Sequence, residues 1–166
     1  MSLAETMRIH EPYPGLYAYY DGRILGKRLH SDKPNWLDDG AYGLGVASYA
    51  IVSGTEALVY DTHVSVAHAL AVRAALTGLG VTKFTVVLSH WHLDHVAGSA
   101  AFPGAEVIAN ARTAAHLHAN RAGIEDGSFH GAPAICPLIL PDRIFDGRMV
   151  LDLGGEQVEL LTANIH

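Results

Sequence analysis

Hydrophobic positions along the chain fall into two rhythms, and the switches between them divide it into elements. Short apolar runs with β-branched content predict strands at Val46 to Val52, Ala57 to Tyr60 and Phe84 to Leu88. The first two are joined by Ser53-Gly54-Thr55-Glu56, where the glycine suits a hairpin turn. Between Ser65 and Gly80 the period lengthens: Ala69, Val72, Leu76 and Leu79 recur at helical spacing, with Gly78 and Gly80 available to end the helix. A short strand at Ala105 to Ala109 and a helix at Arg112 to Arg121 follow. Residues 122 to 141, rich in proline and glycine, predict irregular chain. Arg143 to Phe145, Met149 to Leu153 and Gln157 to Leu161 are short strands divided by Asp146-Gly147 and Gly154-Gly155. Upstream, Tyr13 to Tyr20 predicts a strand that runs into a turn at Asp21-Gly22, and residues 30 to 45 a loop around Trp36 and Tyr42 of the kind that borders sites. Strand, helix, strand, helix and a closing meander predict an α/β layered fold.

At 166 residues the expectation is one domain over 1–166, large enough to bury a sizeable core. A net charge of −6 with no local cluster of Lys and Arg argues against gripping a phosphate backbone, so no nucleic-acid partner is expected. The longest apolar runs fall well short of a membrane span, and Met1 to His10 lacks the pattern of a signal peptide; a cytoplasmic protein is expected. The lone Cys136 has no internal disulfide partner, and its Ile and Pro neighbours predict a buried, inert thiol.

The candidate chemistry is concentrated in Ser89-His90-Trp91-His92-Leu93-Asp94-His95, directly after the strand at 84–88. In extended chain, alternate residues face one side, so His90 and His92 can offer two imidazoles to one ion. As the chain turns into a short helix from Asp94 to Ala101, Asp94 and His95 can aim at a second position. Two ions roughly 3.5–4 Å apart form a hydrolytic arrangement. Imidazole with one carboxylate and no thiolate suits zinc, one or two ions, ahead of iron or manganese. His116 and His118 are two apart on a predicted helix and cannot share an ion; both are expected to be exposed. His10, His30, His68 and His130 lack ligand-spaced companions and are expected on the surface or in loops. His63 and His166 each follow a predicted strand, as His90 does, and His63 is expected to support the site.

The segment from Ser89 to His95, followed by Val96-Ala97-Gly98, resembles the H-x-H-x-D-H signature of the metallo-β-lactamase superfamily. Leu58-Val59-Tyr60-Asp61-Thr62 is similar to the family's strand-plus-Asp-Thr element, and Asp142 to His166 to the strands that lead to its third metal-binding histidine. The resemblance implies that His90, His92 and His166 hold a first metal, Asp94 and His95 a second, and that Asp61 supports a ligand by hydrogen bonding. It also implies an αββα sandwich of which only the first half is present, incomplete at the C-terminus. The family's bridging Asp and the later His of the second site would follow position 166.

The resemblance therefore implies a zinc-dependent hydrolase in which metal-activated water attacks an ester, thioester, amide or related bond of a small-molecule substrate, with Asp94 positioning the nucleophile. A metal-binding fragment or interaction domain without turnover, and an iron-dependent oxidoreductase on the same scaffold, are the alternatives. Half a sandwich leaves one sheet face uncovered. A homo-oligomer, or association with the missing C-terminal half, is expected, with Met149 to Leu161 near the contact.

Overall fold

The computed structural model describes residues 3–163. Among the described residues nine strands are formed: β1 (Arg8–Tyr13), β2 (Leu16–Asp21), β3 (Val46–Ser53), β4 (Glu56–Tyr60), β5 (Lys83–Leu88), β6 (Glu106–Asn110), β7 (Arg143–Phe145), β8 (Arg148–Leu153) and β9 (Glu156–Leu161). The first seven make one sheet in chain order. β1 to β4 pair antiparallel, and β4 to β7 pair parallel. Parallel neighbours need crossovers. The helices α2 (Val66–Gly78) and α4 (Ala111–Asp126) supply two of them, and between β5 and β6 lie the single turn α3 (Leu93–Val96) and a 3-10 turn (Ser99–Ala101). Because β4, β5 and β6 run in one direction, the residues after each emerge at the same rim, where α/β sheets place their sites.

The period-2 alternation sorts these strands between two cores. Ala57, Val59, Val86, Leu88, Val107 and Ala109 face α2 and α4, meeting Val72 and Leu76 of the first and Leu117 and Ile124 of the second. Leu58, Val87 and Ile108 face the other way and are covered by Leu151, Leu153 and Leu160 of the β8–β9 hairpin. The closing meander thus folds back as a partial second layer. On the sheet face it covers, Tyr49 remains 45% exposed, so the cover is incomplete, while Val150 and Leu161 on the hairpin's own outer face are 44% and 64% exposed.

Several expectations are corrected. The single strand expected at Tyr13 to Tyr20 is a hairpin, β1 and β2, turned at Pro14-Gly15 with Gly15 at φ 77°. All of β1 is exposed, so an edge strand carried no apolar alternation to be read. The loop expected at 30–45 contains a π-helical turn, Trp36–Ala41, running into α1 (Tyr42–Leu44). Its organiser is Asp38, only 6% exposed. The Asp38 carboxylate accepts from the backbone N–H of Leu29 (2.6 Å), His30 (3.2 Å) and Ser31 (3.2 Å), and from Asn35 Nδ2 (3.0 Å). Burial opposes ionisation there, yet these donors outweigh it and hold its pKa below the usual value. Cys136 is exposed, because its neighbours Ile135 and Leu138 take the inward positions instead.

His68 is also corrected: it is fully buried in the first turn of α2. Its Nε2 lies 3.0 Å from Asp21 Oδ2 at the end of β2, and its Nδ1 lies 2.8 Å from Ser65 Oγ, the residue capping α2. His118 is exposed as expected, but His116 is half-buried, stacked on Trp91 with ring centroids 3.8 Å apart.

Gly98 marks where the motif segment presses on α2. A Cβ there would stand 2.0 Å from the Thr62 carbonyl oxygen and 2.4 Å from Ala69 Cβ. Both are fixed by backbone, so Gly98→Ala is expected to cost about 2–3 kcal/mol, or about 4–12 °C in Tm by calorimetry. A variant melting with the wild type would show that this contact relaxes freely.

Candidate metal centre

The rim is assembled from the ends of β4 and β5. After Tyr60 the chain makes a tight turn through Asp61 and His63, at φ 63° and 67°, a region L-residues seldom occupy. Holding two such residues costs of order 1–3 kcal/mol each, which the surroundings must offset. Asp61 N–H donates to the Val87 carbonyl (2.8 Å), while Thr62 N–H and Thr62 Oγ1 donate to the His95 carbonyl at 2.7 and 3.0 Å. Val64 N–H donates to His63 Nδ1 at 2.9 Å. The turn after β4 and the motif after β5 are thereby bonded into one unit.

Within it, one nitrogen each of His90 and His95 and one carboxylate oxygen of Asp61 lie within 4.8 Å of one another. The His90 and His95 ring centroids are 4.2 Å apart, and those of His90 and His92 are 4.5 Å apart. His95 Nε2 lies 3.4 Å from Asp94 Oδ2. The four motif residues therefore gather in one place. His92 and Asp94 stand beside the mutually close set rather than in it. Asp61, read from the sequence as a supporting residue, supplies the third atom of that set. His166 lies outside the described residues.

Hydrogen bonding gives Asp61 an orienting part. Its Oδ2 accepts from His95 Nδ1 (2.7 Å) and Ser89 Oγ (2.7 Å), and its Oδ1 from Ser89 N–H (2.8 Å). A carboxylate behind an imidazole is the arrangement that aims the far nitrogen at a metal. Burial works against a charged His95, but the bond and attraction of Asp61 prevail and raise its pKa. His63 is buried and stacked on His68, centroids 4.6 Å apart, and shares its turn with Asp61. Burial lowers its pKa to about 3, so it stays neutral.

A cavity of about 220 Å³ is lined by Trp36, His92 and Asp94, and two others that open on this cluster include both Ser89 and His90. One, of about 300 Å³, is lined further by His92, Asn110, Arg112 and His116. The other, of about 530 Å³, runs under the β8–β9 hairpin past Tyr60, Phe145 and Leu160. Concave space beside convergent polar groups is where a small ligand fits. Asn110 and His116 were missed in the sequence. The signal for Asn110 was its place before a helix, where its Oδ1 accepts from Thr113 N–H at 3.0 Å; nothing in the spacing marked the Trp91–His116 stack.

The sequence profile of the metallo-beta-lactamase superfamily matches residues 41–163. Among solved structures, a Pontibacter korlensis metallo-beta-lactamase superposes with TM-score 0.62 at 18% identity over 92% of this chain and 59% of its own. DIM-1 metallo-beta-lactamase, exposed to ceftazidime, gives TM-score 0.61 at 15% identity over 88% and 55%. A Cronobacter sakazakii metallo-beta-lactamase with an altered HARLDQ motif gives 0.54 at 22% over 90% and 52%. These similarities establish the fold. The chain spans little more than half the length of each. No curated protein matches the chain.

Proposed function

Because this chain belongs to the metallo-beta-lactamase superfamily, we propose that it carries a metal centre of a zinc-dependent hydrolase acting on an ester, thioester, amide or related bond of a small molecule. The observation that carries this reading is the convergence of Asp61, His90 and His95 ligand atoms within 4.8 Å at the shared rim. The donor chemistry fits: imidazole nitrogens and carboxylate oxygens without thiolate suit zinc. His90 and His92 would hold a first ion, with His166 completing that set as the resemblance implies, and His95 would hold a second together with Asp94, whose carboxylate borders His95 Nε2. When bound, the metal supplies a Lewis acid that polarises the reacting oxygen and brings the pKa of water toward neutrality.

The remaining chemistry falls to the chain. Asp61 holds His95 in orientation, and Asp94, half-buried beside His95 Nε2, can accept a proton from the attacking water and return it to a leaving group. The exposed Tyr49 of β3 and Val150 and Leu161 on the outer face of the β8–β9 hairpin support association with a second copy or with a complementary segment. Elemental analysis, followed by hydrolysis assays on esters, thioesters and β-lactams with this chain and a longer version, tests the reading. Stoichiometric zinc with turnover is the expected result. Iron in place of zinc with no hydrolysis would move the assignment to an oxidoreductase; no divalent metal at all would end it. Zinc binding with no hydrolysis by either version would instead support a second reading, metal binding without turnover.

A further inference from the structure

We propose that Ser89 is a positioning residue: it relays the demand of the Asp61 carboxylate to His90, so that one buried carboxylate sets the tautomer of two imidazoles. An ionised carboxylate only accepts hydrogen bonds. Asp61 Oδ2 faces Ser89 Oγ at 2.7 Å and His95 Nδ1 at 2.7 Å, so both must donate to it. A hydroxyl has one proton. With that proton on Asp61, Ser89 Oγ can only accept from its other neighbour, His90 Nδ1, at 2.8 Å. His90 therefore carries its hydrogen on Nδ1, as His95 does. A neutral imidazole holds one N–H, so in both rings Nε2 bears the lone pair.

The opposite polarity can be weighed. If Ser89 donated to His90, its oxygen and Asp61 Oδ2 would face each other at 2.7 Å as two acceptors, one of them charged. Stranding a buried acceptor costs about 1–3 kcal/mol, and more for a charge. Asp61 cannot swing away to relieve it. It is 3% exposed, and its other oxygen is held by Ser89 N–H at 2.8 Å. Its backbone is fixed in the left-handed region by the bond to Val87. The relay thus has one direction. His63 gives a contrast inside the same rim: Val64 N–H donates to its Nδ1, so its hydrogen sits on Nε2.

The consequence for metal affinity rests on His90 and His95 being ligands; the tautomers do not. Histidine ¹⁵N shifts of the metal-free full chain, recorded at about pH 9 where imidazoles are neutral, read the relay directly. The expected result is Nδ1–H for His90 and His95 and Nε2–H for His63. In Ser89→Ala, His90 is expected to lose its Nδ1–H preference while His95 and His63 keep theirs, and Ser89→Thr, which retains the hydroxyl, is expected to restore His90. Zinc affinity by chelator competition should fall about 10–100-fold in the alanine variant, with recovery in the threonine variant. Nδ1–H at His90 surviving in Ser89→Ala would overturn the proposal, as would loss of all three signatures together, which marks a structural role. Nε2–H at His90 in the wild type would overturn it whether or not the alanine variant folds. Tautomers that change as expected with unchanged zinc affinity would uphold the relay and refute the ligand reading instead.

Discussion

Zinc affinity is expected to fall by well over ~100-fold in His90→Ala or His95→Ala and to stay within about twofold in His118→Ala. The lower bound follows from the ~10–100-fold lost when only an orienting partner of a ligand is removed; loss of the donor itself must exceed it. His90 and His95 offer nitrogens to one mutually close set, whereas His118 is exposed on α4. His92→Ala should also weaken binding strongly, since its ring lies 4.5 Å from that of His90 at the mouth of the same cavity. His116 is a poor control, because it supports Trp91 by stacking. Titration against a chromophoric chelator gives the comparison. Equal losses from His90→Ala and His118→Ala would dismiss the rim as a metal centre.

The second large effect lies behind the site. Asp21 and His68 are both fully buried, and the carboxylate accepts from His68 Nε2 (3.0 Å), Thr6 Oγ1 (2.9 Å) and Gly22 N–H (2.8 Å). Removing the imidazole takes one hydrogen bond from a buried carboxylate, a loss of about 1.5–3 kcal/mol. His68→Ala is accordingly expected to lower Tm by about 3–12 °C for a chain of this size. Tyr42 Oη and Lys27, which bond Asp21 and Thr6, tie the N-terminal hairpin into the same network, so hairpin and α2 should loosen together. A shift of a degree or less would show that water replaces the imidazole at no cost.

The same burial dictates a pH dependence. Desolvation lowers the pKa of His68 despite its bond to Asp21, and lowers that of His63 to about 3. In the unfolded chain both titrate near ~6.5. Below that pH the unfolded state takes up protons that the folded state refuses, so stability falls as pH drops from about 6.5 toward 3. His95, whose pKa is raised, acts in the opposite sense, so a Tm that stays level between about pH 7 and pH 4 in His95→Gln would mean that neither buried imidazole is held neutral.

Most of the sheet was legible because its strands lie between two cores. Phe84 to Leu88 and Ala57 to Tyr60 read as continuous apolar runs since α2 and α4 cover one face and the β8–β9 hairpin the other. β1 was missed for the converse reason: an exposed edge imposes no pattern. The π-helical turn at Trp36–Ala41 was missed because its stability comes from the buried Asp38 carboxylate and the amides it gathers, an arrangement with no period. His68 looked like a stray surface histidine, since its partner Asp21 is 47 residues away.

By itself the sequence determined the α/β order of elements and the gathering of His90, His92, Asp94 and His95 after β5, because both depend on short-range spacing along a strand and its exit loop. Only the tertiary structure decided that Asp61, implied by the resemblance as a support, has an oxygen within the close set itself, that Ser89 bridges it to His90, and that His68 stands buried behind it. Those relations join the ends of β2, β4 and β5 across a sheet, through left-handed backbone at Asp61 and His63 that no local propensity favours. Hydrogen bonds from neighbouring strands hold that turn in place, and they exist only once the sheet has closed.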